Sequence, residues 1–184
     1  MSCMSTAEPI FRRVSVIQGE TRVSDDPQVV MSTILGSCIA ACLYDPDVKA
    51  GGLNHFLLAE PGQGDTDPRS MQRYGVYAME VLINAILAKG ASRHRLRARI
   101  YGGAAMHDGF RDIGSANAAF ARQFLRDERI ALVGEDVGGK SARRVEFRAA
   151  LGLARCRIVT DTMTPIPKPV RRPAPPPIGD VEFF

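Results

Sequence analysis

Two side chains in the stretch "STILGSCIAACLYDPDVKAGGLNHFLL" have the right chemistry to break an amide: Cys38 and, seventeen residues later, His55. A cysteine thiol is mostly protonated at neutral pH, and a neighbouring imidazole raises its thiolate fraction. The same imidazole can hand the proton to a leaving amine. A third polar group fixes the ring tautomer, and two hydroxyls lie just upstream, Ser32 and Thr33. Gly36 and Ser37 precede the thiol; glycine permits a sharp turn, and backbone N–H groups there can face a developing oxyanion. Such a set attacks an amide or ester carbonyl. The residues taken alone leave a second reading open, in which thiol and imidazole simply pack in a core. Cys42 shares the parity of Cys38 but sits mid-strand without the glycine turn. Cys3 and Cys156 have no histidine near them in sequence. His94 lies in an arginine run and reads as exposed; His107, in a loop, is a weaker candidate base.

These side chains need elements to position them. "IAACLY" and "GGLNHFLL" flank "DPDVKA", whose Asp-Pro opening and Gly-Gly close predict a hairpin turn. A four-residue loop at Asp45 to Val48 would set Tyr44 against Lys49, Cys42 against Gly51, Ala40 against Leu53 and Cys38 directly against His55. Directly opposed residues of an antiparallel pair share a face, with Cβ atoms about 4.5–5.5 Å apart. "RRVSV" and "QVVMSTI" read as strands, as do "LRARIYGGAA", "IALVGEDV", "RRVEFRAAL" and "LARCRIV", the last two as a hairpin around Gly152. A helix is predicted from Ser70, as its cap, to Lys89, with Met79, Leu82, Ile83, Ile86 and Leu87 at 3/4 spacing and Gly90 ending it. "SANAAFARQFLRDER" is a second helix. Strands that follow one another directly predict an α+β layered sandwich with a mixed or antiparallel sheet and two main helices.

The chain has 184 residues and a net charge of +4, with 45% hydrophobic and 24% charged residues, the balance of one globular domain. Residues 1–10 read as a flexible end, 11–163 as the domain, and the proline-dense 164–184 as a disordered tail. No apolar run reaches the length of roughly 18–20 residues that crosses a bilayer, and "MSCMSTAEPIFRR" carries no apolar signal core, which predicts a cytoplasmic protein. The basic run "RHRLRAR" reads as the solvated face of a strand, not a nucleic-acid site, because it lacks interleaved aromatics. Cys38 and Cys42 form a CxxxC without companion ligands, so a zinc site is not expected.

The segments "LGSCIAACLYDP", "GGLNHFLLAEP", "YGGAAM" with "IGSAN", and "EDVGGKSARRVEF" together resemble the CheD family, the chemoreceptor glutamine deamidases of bacterial chemotaxis. The resemblance runs from about Ile17 to Val159. It implies a cysteine-hydrolase type of fold and a cofactor-free protein-glutamine glutaminase, with the cysteine of the LGSC segment as nucleophile and the histidine seventeen residues on as base. These fall on Cys38 and His55. The family's third member is a threonine six residues before the cysteine; that position here is Ser32, and Thr33 follows it, so the third role rests between the two. The implied substrates are glutamine side chains of methyl-accepting chemotaxis receptors, with a CheC-type phosphatase as a further partner. The rival reading is a non-catalytic chemotaxis adaptor on the same fold.

Overall fold

A computed structural model describes residues 10–58, 68–105 and 113–159. Cys3, His107, the segment 1–9, nearly all of "PGQGDTDP" and the proline-rich end lie outside them. Two mixed sheets stack, and two helices cover the outer face of the larger one. The smaller sheet has the order β1 (Arg12–Ser15), β3 (Val29–Leu35), β8 (Arg143–Arg148), β9 (Leu153–Ile158), with β1 parallel to β3 and the other pairs antiparallel. The larger has the order β2 (Thr21–Ser24), β5 (Ala50–Phe56), β4 (Ile39–Asp45), β6 (Arg97–Gly102), β7 (Ala131–Val137); only β6 and β7 run parallel. The helices are α1 (Pro68–Leu87) and α2 (Ile113–Asp127).

The alternation of side chains along a strand explains the apolar run of β4, which is covered on both faces. Ala40 and Cys42 join Met31, Leu35, Leu53, Val145 and Phe147 in a core between the sheets. Ile39, Ala41 and Leu43 point the other way, into a core with Phe56 and the helix residues Met79, Leu82, Ile83, Ile86 and Phe124. Each large side chain buried this way contributes about 1.5–3 kcal/mol relative to exposure. Gly52 permits the packing on that side: a Cβ there would lie 2.7 Å from Val23 and 2.8 Å from Leu82, so only glycine admits both β2 and α1 against β5.

Several expectations are corrected. The hairpin turn is Pro46 to Lys49, because Asp45 still pairs with Ala50 as the last residue of β4. Asp45 is fully buried. Its carboxylate accepts the Asp47 and Ser92 N–H groups at 3.0 and 2.9 Å and a 2.8 Å bridge from Arg95, and it is thereby held in the strand. The register therefore shifts by two residues: Ala40, not Cys38, lies opposite His55, and Cys42 lies opposite Leu53, not Gly51. A two-residue slip preserves the face. Strand β2, with its polar "TRVS", has no apolar run to announce it and was not expected. Helix α1 begins at Pro68 instead of being capped by Ser70, since proline's fixed φ suits a first helical position, and it ends at Leu87, before Lys89. In "RHRLRAR" only the residues from Arg97 are strand. Arg93–Arg95 form a 3-10 turn, in which Arg93 bridges Glu80 and Glu128 and Arg95 holds Asp45.

Candidate active site

The site sits at the open end of the β4–β5 hairpin. Cys38 immediately precedes β4, and continuing the register places it diagonally from His55 on the inter-sheet face. Diagonal neighbours have Cα atoms about 7–8 Å apart, within reach of longer side chains. Cys38 is partly exposed, whereas Cys42 on the same face is wholly buried. Burial pushes the Cys42 thiol far above its ordinary pKa. The partly exposed Cys156 is raised to about 11, by desolvation and by its hydrogen bond with Asp136. Both are thus poor thiolates.

Three protein donors fix the turn that carries Cys38. The carbonyl of Gly36 accepts Ala104 N–H at 2.9 Å, that of Ser37 accepts Asn117 Nδ2 at 2.9 Å, and that of Cys38 accepts Gly103 N–H at 2.8 Å. The Gly102–Gly103 pair makes this approach possible. Gly102 has φ +108°, and a Cβ there would collide with the Cys38 carbonyl oxygen. Asn117 also accepts the Leu58 N–H at 3.0 Å, which ties the thiol's turn to the exit of β5.

His55 is 7% exposed. Its Nδ1 lies 2.9 Å from Thr33 Oγ1, which in turn lies 2.7 Å from the Val16 carbonyl. A carbonyl only accepts, so the single hydroxyl proton of Thr33 goes to Val16. Thr33 oxygen must then accept from His55, and Nδ1 carries the ring proton. This chain of two bonds leaves the lone pair on Nε2, a buried atom with no hydrogen-bond partner among the described residues. Burial lowers the His55 pKa below the usual histidine value, against an opposing pull from the Val16 carbonyl, so the ring is neutral at pH 7. A neutral imidazole with a fixed, unpaired Nε2 is a base.

The structure separates the two candidate hydroxyls. Thr33 points inward with Met31 and Leu35, while Ser32 pairs with Glu146 and faces the opposite side of the sheet. Ser32 is therefore not brought to His55, and Thr33 is. His94 bonds Ser92 Oγ at the surface, away from the site.

Sequence reasoning missed three contributors. Val16 acts through its carbonyl, which no side-chain pattern reveals. Asn117 is legible in hindsight, since it falls in the buried stripe Gly114, Asn117, Ala118, Ala121, Phe124 of α2, where a polar residue stands out. Gln18 is the third: the Cys38 thiol donates to Gln18 Oε1 at 3.3 Å. A cleft of about 340 Å³ lined by Gly19, Glu20, Tyr74 and Tyr77 reaches His55 from the α1 side; Cys38 does not line it. Among the described residues, no group of three His, Cys, Asp or Glu side chains is placed to hold a metal, and no helix is long and apolar enough to cross a membrane.

Comparison with known proteins agrees over nearly the whole chain. The family described as CheD chemotactic sensory transduction matches residues 57–158. A Zymomonas mobilis protein called a probable chemoreceptor glutamine deamidase CheD is 63% identical, covering 95% of this chain and 93% of its own. Proteins with the same description from Caulobacter vibrioides and Rhizobium meliloti are 54% and 46% identical, covering 94% and 96% of this chain and 93% and 98% of theirs. The chain belongs to the CheD family.

Proposed function

We propose that this protein hydrolyses glutamine side chains of chemoreceptors to glutamate, with Cys38 as nucleophile, His55 as base and Thr33 as the residue that orients the ring. The activity follows from family membership at 46–63% identity over almost the full length. The single observation that carries the residue assignment is the buried Nε2, unpartnered among the described residues, of a histidine whose other nitrogen is committed to Thr33.

In this reading His55 Nε2 takes the thiol proton as Sγ bonds to the side-chain amide carbon. The tetrahedral oxyanion is stabilised by backbone N–H groups of the Gly36–Ser37–Cys38 turn. His55 returns the proton to nitrogen, the C–N bond breaks and ammonia leaves. Water, deprotonated by the same Nε2, then attacks the thioester; the C–S bond breaks, the proton on Nε2 passes back to the Cys38 sulfur, and glutamate is released. The residues present supply every proton transfer. Residues 11–163 form the catalytic unit, 1–10 and 164–184 flank it, and the protein works in the cytoplasm beside the receptors' cytoplasmic parts. A CheC-type phosphatase is a second partner, on the strength of the family resemblance. A pure adaptor would have no use for a base held in one tautomer.

Mass spectrometry of a soluble receptor fragment incubated with the protein tests the reading. Each hydrolysed glutamine gains about 1 Da, the difference between an amide and an acid. An unchanged fragment, with the protein folded and Cys38 reduced, would sink it.

A further inference from the structure

The turn joining β1 to β2 brings a carboxamide to the nucleophile. Glu20 N–H bonds the Ile17 carbonyl at 3.0 Å and Gly19 has φ +84°, the form of a type II turn with Gln18 at its leading corner. The turn is fastened to the backbone of the base itself: Gly19 N–H donates to the His55 carbonyl at 2.7 Å, and His55 N–H to the Glu20 carbonyl at 3.1 Å. Glu20 braces it further by accepting Ile17 N–H at 3.2 Å and Arg22 at 2.9 Å. A glutamine on such a corner is ordinarily a free surface side chain. Here its Oε1 accepts the proton of Cys38 Sγ at 3.3 Å. The substrate must bring the same chemical group, a carboxamide, to the same sulfur.

Building on the deamidase reading above, we infer that Gln18 is a specificity-determining residue that recognises the substrate carboxamide. On substrate binding Gln18 Oε1 releases the thiol and accepts an N–H of the incoming glutamine side chain. The freed S–H turns to His55 Nε2. Neither a γ-methyl ester nor the glutamate product has that N–H, so Gln18 favours the amide over both. A site that hydrogen-bonds a substrate group discriminates against analogues lacking it.

The test uses the full chain and two versions of one receptor fragment, with glutamine or glutamate γ-methyl ester at the reactive position. Gln18→Ala should lower kcat/KM for the amide about tenfold, the upper end for one neutral hydrogen bond. The ester, a better electrophile, should fall by less than about twofold, because it never used the bond. Gln18→Glu keeps an acceptor at the same reach, so it should keep the wild-type amide-to-ester ratio. Its charge beside the thiol should slow both substrates together. A second readout needs no receptor: without its acceptor the thiol ionises more readily, and Cys38 in Gln18→Ala should react with iodoacetamide faster than wild type at pH 7. Equal losses on both substrates in Gln18→Ala, or no loss on the amide, would overturn the inference and leave the deamidase reading standing. Wild-type protein that hydrolyses neither substrate would overturn that reading, and the inference with it.

Discussion

The two ends of the β4–β5 hairpin bury polar groups in opposite ways. At the turn, Asp45 is fully buried and its oxygens are matched by Arg95 and by the Ser92 and Asp47 N–H groups. Burial pushes its pKa up, but those partners outweigh it and hold the carboxyl at about 2. At the open end, His55 is nearly as buried, yet one ring nitrogen is matched and the other has no partner among the described residues. A matched buried group stabilises; an unmatched one costs stability and is retained where it reacts. On the proposed mechanism the hairpin has a structural end and a chemical end, and substitutions at the two should separate stability from activity.

The largest effect is expected at the chemical end. His55→Ala should reduce deamidation by about 10²–10⁴-fold, the usual contribution of a general base, with the melting temperature equal to or above wild type. At the structural end the pattern should invert. Asp45→Ala should cost about 2–3 kcal/mol in denaturant melts, because it removes charge-assisted hydrogen bonds at a buried position. The protein that remains folded should keep its wild-type turnover. If Asp45→Ala lowers kcat at full folding, the division between the ends is wrong.

A smaller effect separates the hydroxyls. Thr33→Val frees the ring tautomer and should lower kcat about tenfold, the measure of one neutral hydrogen bond, while Ser32→Ala should stay within about twofold of wild type. The reverse ranking would return the third role to Ser32.

The pH dependences should also differ. His55 has a lowered folded pKa, so it loses its base form only below the usual value of about 6.5; the acid limb of kcat/KM should lie below that pH. Stability responds with the same sign: protonating the buried ring is penalised, so His55 takes nothing further from stability above the unfolded pKa near 6.5 and destabilises the fold as pH falls towards the folded value. Asp45 behaves likewise in a lower window: its contribution is present above its ordinary value of 3.8 and is lost as pH falls towards about 2. Activity should therefore fail on acidification well before the turn loosens. An acid limb above pH 6.5 would contradict the neutral, buried ring.

Much of this was legible in the sequence, and the gaps have physical causes. Periodicity found both helices and every strand except β2, whose four residues alternate too briefly to read. Seventeen residues between thiol and imidazole put them on one face of a hairpin, which survives a two-residue slip. The slip itself came from Asp45, which reads as a turn residue until Arg95, fifty positions away, is seen to bury it in the strand. Ser32 and Thr33 are adjacent and chemically alike, so only strand alternation against the core separates them. Gln18 and Val16 reach the site through a turn whose destination is a long-range fact.

The proposed mechanism stands or falls on attack by Cys38 on the glutamine carboxamide. Acid quenching of the protein with a receptor fragment, followed by peptide mass spectrometry, tests it most directly. A thioester between the fragment and the peptide carrying Cys38 is expected, absent from Cys38→Ala, together with complete loss of glutamate formation in that variant. Continued deamidation by folded Cys38→Ala would contradict it.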